Sequence, residues 1–277
     1  MSKKFILICI LFGGLLLSSC NKANKQHGNS GSVVSSVEQN DSAITQTANT
    51  AAQIFAKKQV PVLCYHRISE GNKGDYTVSP ATFSAHMKVL ADSGYHSISP
   101  AQLYDYLVYN KTLPEKPFVV TFDDSRVEHR TIAAPVLEKY GFRGAFFIMT
   151  ITYNKKNYMT KDQIAELAKA GHTVGLHSWD HTMVIKYKEP ADWQKQVVEP
   201  KKKLEGIVGK PVEYWAYPNG VYDHKGAVEL SKYFKIAFSL ATKRDSIQPL
   251  QSVRRIIVPE CTPQGLLKSM RRSFTGK

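Results

Sequence analysis

From Val60 onward the chain alternates short apolar runs with amphipathic segments, and few folds accommodate that alternation. Strands separated by helices pair side by side in parallel, and a parallel sheet needs both of its faces covered. Val60–Tyr65, Phe118–Phe122, Gly144–Met149 and residues 173–176, 212–216, 236–240 and 253–258 read as strands. Residues 80–93, 100–109, 130–140, 160–170, 191–207, 224–233 and 263–272 read as helices. Ser79-Pro80 and Ser99-Pro100 each supply an N-cap followed by proline at the first helical position, and Thr160 with Gln163 fits a capping box. About seven parallel strands in one α/β stretch close most economically as a (β/α) barrel, whose functional residues collect at the C-terminal strand ends.

The 277 residues carry 37 Lys+Arg against 23 Asp+Glu, with 43% hydrophobic residues and 4 Cys. That balance excludes a disordered, collagen-like, disulfide-scaffold or polytopic membrane chain. Residues 1–19 form a signal pattern, with Lys3 and Lys4, the apolar run Phe5–Leu17, and small residues before Cys20. The run is shorter than the roughly 20 apolar residues of a membrane span. Its end resembles the lipobox of bacterial lipoproteins, which implies that Cys20 is acylated and that the protein is exported and lipid-anchored at the cell envelope. A plain cleaved signal peptide would also export it. Residues 20–59 read as a flexible tether with a weak helix near Ala48–Ala56, and 60–277 as the folded domain. Cys64 and Cys261 either pair or remain separate buried thiols. The Lys201-Lys202-Lys203 run reads as a solvated helix face, and the net charge of +14 suits contact with anionic wall polymers or lipid headgroups. No nucleic-acid module is apparent.

Two motifs carry chemistry. Strand 118–122 ends in Asp123-Asp124, and adjacent carboxylates after a buried strand call for a cation between them. Strand 173–176 ends in His177-Ser178-Trp179-Asp180-His181. Asp124, His177 and His181 offer the carboxylate and imidazole donors that zinc and its relatives take, with a position left for water.

Thr-Phe-Asp-Asp, then His-Ser-x-x-His, then an aromatic-rich Pro-x-Gly loop resemble the polysaccharide deacetylase family of the NodB-homology type, over roughly Val60 to Ser273. The resemblance implies a distorted (β/α) barrel and a divalent cofactor: zinc first, with nickel, cobalt or manganese as alternatives. It makes Asp123 the general base, Asp124, His177 and His181 the ligands, and the Asn219 backbone N–H an oxyanion donor. Trp215, Tyr217 and Pro218 of the third motif would meet the sugar, although Trp215 reads equally well as a core residue.

Two departures stand out. The family's third motif carries an Arg where this chain has Ala216, and its late His has no counterpart. Tyr65-His66-Arg67-Ile68 and Arg254-Arg255-Ile256-Ile257-Val258 resemble the biofilm-polysaccharide branch. On that basis Arg255 or Arg254 is expected to reach Asp123. His66 is expected either to line the pocket as proton donor or substrate contact, or to be a satisfied core histidine. The implied activity is metal-dependent N-deacetylation of an N-acetylglucosamine-containing polysaccharide: poly-N-acetylglucosamine, peptidoglycan or chitin-like. The rival readings are a carbohydrate-binding pseudoenzyme, an O-acetyl esterase of the xylan type and a small-amide amidase.

Overall fold

The structure, a computed structural model, describes residues 47–71, 74, 76–241 and 243–274, all within one compact unit. The signal pattern, Cys20 and most of the tether lie outside the described residues.

Its strands are β1 (Val62–Tyr65), β2 (Arg67–Ile68), β3 (Thr77–Val78), β4 (His96–Ser97), β5 (Pro117–Phe122), β6 (Ala145–Ile148), β7 (Thr173–Leu176), β8 (Tyr214–Ala216), β9 (Ile236–Ser239), β10 (Val253–Arg254) and β11 (Ile256–Ile257). Eight of them run in parallel in the order β10-β9-β8-β7-β6-β5-β1-β11, with β4 paired to β5 and with β2 and β3 in a separate ribbon. The single strand expected at 253–258 is therefore two. Val253 and Arg254 register with Phe238 and Ser239 at one end of the sheet, and Ile256 and Ile257 with Leu63 and Cys64 at the other. Between them Arg255 N donates to Ser239 O, and beyond them Val258 N donates to Cys64 O. The chain thus bridges the gap and nearly closes a distorted (β/α) barrel.

Alternation along the strands sorts side chains into two cores. Leu63, Phe122, Phe146, Ile148 and Trp215 join helix residues such as Phe83, Leu137 and Leu204 in the outer layer. Val62, Val119, Phe147, Ala216 and Phe238 fall in the inner cluster. That inner cluster also takes in Ile54, Leu103 and Leu107, which pack near the beginnings of the strands.

The tether ends earlier than the sequence suggested. Thr50 caps a helix at Ala51–Ala56 with a complete capping box, Asn49 bonds the carbonyls of Val108 and Leu107, and Ile54 is buried. One large apolar residue under a cap is enough to dock a stretch that is otherwise polar.

Two expected helices are interrupted. His129–Ala133 and Gln194–Val198 form wide π turns before the regular helices Ala134–Lys139 and Glu199–Val208. Pro135 and Pro200 each lack the N–H that would bond four residues back, and their rings crowd that carbonyl, so a wider turn relieves both problems.

Candidate active site

The carboxyl ends of the barrel strands bring most of the expected residues together. After β5, Asp124 and Ser125 take left-handed backbone angles (φ 72° and 58°), a sharp reversal that parts the two neighbouring carboxylates. Ser125 pays for this strain with two bonds: its hydroxyl accepts from Met149 N at 2.7 Å and its carbonyl from Met159 N at 3.0 Å. After β7, Ser178 and His181 are also left-handed (φ 64° and 74°), and His181 N donates to the Ser178 hydroxyl at 2.8 Å. This turn sets the two imidazoles 4.9 Å apart, centre to centre.

The buried His177 donates its Nδ1–H to the carbonyl of Ala216 at 2.7 Å, so Nε2 is left with a free lone pair. Asp124 Oδ1 lies 3.5 Å from His177 Nε2 and 3.5 Å from His181 Nε2, and it is buried without a hydrogen-bond partner. Lone pairs facing one another are mutually repulsive unless a cation lies between them. Two donors held by zinc at a tetrahedral angle stand roughly 3.4 Å apart, which matches this spacing. The residues therefore fit a divalent ion.

Asp123 is built for a different task. It is 1% exposed and faces the barrel interior, where Arg255 grips it from both sides: Nη1 to Oδ1 and Nη2 to Oδ2, each 2.8 Å. Arg255 Nη1 also reaches Thr121 Oγ1 at 3.1 Å, and the guanidinium lies 5.7 Å from the Phe147 ring centre. Ala216 sits in the same inner cluster, so the methyl group at the motif position leaves room for an arginine entering from the last strands. Burial pushes the Asp123 carboxyl up, but Arg255, with His177 and His66, outweighs it and holds the group well below its ordinary value. Asp124 is lowered as well, burial being overcome by His177. The two carboxylates in turn raise His177 against its burial, whereas burial and the neighbouring His177 lower His181. Arg254, the other expected candidate, has its guanidinium 5.7 Å from the Phe274 ring centre instead.

His66 follows β1 on the wall of a cavity of about 770 Å³, with Nε2 3.9 Å from Asp123 Oδ2 and burial lowering its pKa. Its carbonyl accepts from the buried His129 Nε2. Cys64 was not singled out by the motifs. Its thiol, kept protonated by burial, donates to Asp123 Oδ2 at 3.6 Å, and both it and Cys261 are free, so the two do not pair. Cys64, His66 and Asp123 also cluster closely enough for a metal, but Arg255 already supplies the cation that Asp123 needs.

Three expected substrate contacts fail. Trp215 and Tyr217 are 0% exposed and Pro218 is buried. Alternation turns both aromatics outward under the helices, where Trp215 packs on Phe234, Tyr217 stacks on Tyr222, and the Tyr217 hydroxyl donates to Gln251 O. The aromatic surface of the cavity comes instead from Tyr76, 54% exposed beside His66, and from Tyr158. Asn219 does line the cavity, with a left-handed backbone (φ 57°). Behind it Gly220 (φ 66°) lies so close to β9's exit that a Cβ would fall 2.2 Å from Leu240 Cβ. Gly220→Ala is therefore expected to cost about 2–3 kcal/mol in urea unfolding and to displace Asn219.

A family model described as polysaccharide deacetylase matches residues 110–234. YxkH of Bacillus subtilis, which bears a provisional polysaccharide deacetylase name, is 31% identical over 179 residues, 64% of this chain and 63% of its own length. The chain thus spans less than two thirds of that relative. The poly-β-1,6-N-acetyl-D-glucosamine N-deacetylase of Staphylococcus aureus is 25% identical over 247 residues, covering 77% of this chain and 83% of its own. The structure of the Streptococcus pyogenes deacetylase PplD superposes with a TM-score of 0.71 at 23% identity, over 76% of this chain and 98% of that one, and shares the fold. With the two motifs assembled at the strand ends of this barrel, the chain carries a polysaccharide deacetylase domain of the NodB-homology type.

Proposed function

We propose that the chain is a metal-dependent hydrolase that removes N-acetyl groups from an N-acetylglucosamine-containing polysaccharide. The observation that carries this reading is the convergence of Asp124, His177 and His181 around an unpartnered carboxylate oxygen, next to a second carboxylate held ionised by Arg255. An amide is a poor electrophile, so its hydrolysis needs a polarised carbonyl, an activated water and a proton for the amine. A divalent ion held by the three ligands, zinc being the simplest choice for such donors, supplies Lewis acidity toward the acetamide carbonyl.

The protein's own groups do the rest. Asp123 takes a proton from the attacking water as the new C–O bond forms. The Asn219 backbone N–H donates to the developing oxyanion. Asp123 hands the water's proton to the neutral His66, whose Nε2 is 3.9 Å away, and as the C–N bond breaks the imidazolium so formed passes it to the leaving amine. Tyr76 offers its exposed face to a sugar ring. The products are acetate and a free amino sugar.

The named activity of the Staphylococcus aureus relative supports an N-acetylated polymer. The pseudoenzyme reading rested on Ala216 and on the missing late His. Arg255 occupies in space the role that the motif arginine would have had, and His66, on the cavity wall 3.9 Å from Asp123, is the proton donor proposed in place of the late His. Export and anchoring through Cys20 belong to the same proposal and suit a large immobile substrate. Among the described residues no helix is long and apolar enough to cross a membrane.

The experiment is acetate release from N-acetylglucosamine oligomers, with the chain first stripped of metal and then reloaded with zinc or cobalt. Release is expected only after reloading. A folded, metal-loaded chain that releases no acetate from oligomers or peptidoglycan would overturn the reading.

A further inference from the structure

The cavity wall carries more positive charge than the proposed chemistry uses. Arg67, Arg126 and Lys155 all line it. Arg126 is already engaged: its Nε lies 3.4 Å from Glu128 Oε1, and its guanidinium lies over the Tyr158 ring at 4.9 Å. Arg67 and Lys155 have no side-chain partner among the described residues. Among the described lining residues the carboxylates are Asp124, a metal ligand in the proposed site, and Asp180, whose Oδ1 accepts from Thr182 N and Thr182 Oγ1.

Both of these residues sit on fixed backbone. Arg67 begins β2, and its N–H donates to Tyr76 O at 3.0 Å. Lys155 lies in a turn whose far end, Tyr158, forms a bridge with Arg126. A neutral glycan gains nothing from two cations in a concave wall that have no side-chain partner among the described residues, and the ammonium groups that deacetylation creates are repelled by them. A glycan bearing anions gains from both.

We infer that Arg67 and Lys155 form an anion subsite, and that the substrate is an N-acetylated glycan with a carboxylate on or next to the reacting sugar. This inference rests on the deacetylase reading and narrows it to charged polymers. A uronate neighbour and a lactyl or peptidyl carboxylate on the N-acetyl sugar are the two sources of that chemistry.

The test is equilibrium binding to the metal-loaded full chain, followed by fluorescence anisotropy with end-labelled oligosaccharides of equal length. The three probes are a neutral N-acetylglucosamine oligomer, an alternating N-acetylglucosamine–glucuronate oligomer and a peptidoglycan glycan with its peptide stems. At low salt one or both anionic probes are expected to bind about tenfold more tightly than the neutral one, and the advantage should vanish at high salt. Whichever anionic probe gains more identifies the source of the carboxylate. Arg67→Gln combined with Lys155→Gln should bring the anionic-to-neutral affinity ratio close to one, and Lys155→Glu should reverse part of it. Equal affinities at low salt, or a ratio untouched by the variants, would overturn the inference. Acetate release is scored separately: none from any probe sinks the deacetylase reading, while the affinity ratio still decides the subsite.

Discussion

Asp123→Asn is expected to lower acetate release by about 10²–10⁴-fold while leaving metal binding in place. Asparagine keeps the shape of the side chain but cannot accept the proton of the attacking water, so the loss should fall on kcat rather than KM. The proposed ligand atoms belong to Asp124, His177 and His181, and none is altered. Zinc should therefore still raise the melting temperature of the variant, since an ion that binds only the folded state stabilises it by mass action. A matching loss of zinc-dependent stabilisation would mean that Asp123 is part of the metal site. Activity within tenfold of the wild type would assign the base elsewhere, with His66 the nearest candidate at 3.9 Å.

The parts of the site legible in the sequence are those that local patterns carry. Asp123, Asp124, His177 and His181 follow apolar runs at strand ends, and a parallel α/β barrel gathers such ends on one face whatever the rest of the chain does. Arg255 lay 132 positions from its partner. Its approach depends on the chain crossing from β9 to β1 within a few residues, which no periodicity encodes. The available hints were the small residue at position 216 and the resemblance of Arg254-Arg255-Ile256-Ile257-Val258 to the biofilm-polysaccharide branch, which left Arg254 and Arg255 as alternatives.

Trp215 and Tyr217 were misplaced for a reason visible in hindsight. Trp215 in β8 and Tyr217 just after it share one parity and Ala216 has the other, so a motif position facing the barrel interior forces its aromatic neighbours outward. Pro135 and Pro200 likewise announced the wide turns that a simple apolar count ran through. Tyr76 had no such signal, because it sits just before the two-residue strand β3, too short to show any pattern.

Arg255→Met is expected to destabilise the domain by about 3–5 kcal/mol, because it leaves the buried Asp123 carboxylate without its cation. Methionine fills much of the volume, so the cost is chiefly electrostatic. The companion variant separates these terms. Replacing both partners, Asp123→Leu with Arg255→Met, should be more stable than Arg255→Met alone, since an apolar pair has no charge to desolvate. That double variant would be inactive, and a stability equal to or above that of the wild type would identify the ion pair as one kept for catalysis at some expense in stability.

The sign of the pH dependence, read on metal-free protein, follows from the same pair. In the wild type the folded-state pKa of Asp123 is depressed below its ordinary 3.8, because Arg255 outweighs burial. The stabilisation is therefore fully present above the ordinary value and is lost only as the pH falls through the depressed one. In Arg255→Met burial acts with its main opponent gone and the carboxyl rises. Its penalty then operates above the raised value and is relieved as protons bind. The gap between wild type and Arg255→Met in urea unfolding should be widest near neutral pH and narrow in acid. A gap that stays constant across the carboxylate range would show that Arg255 contributes packing rather than charge to the barrel interior.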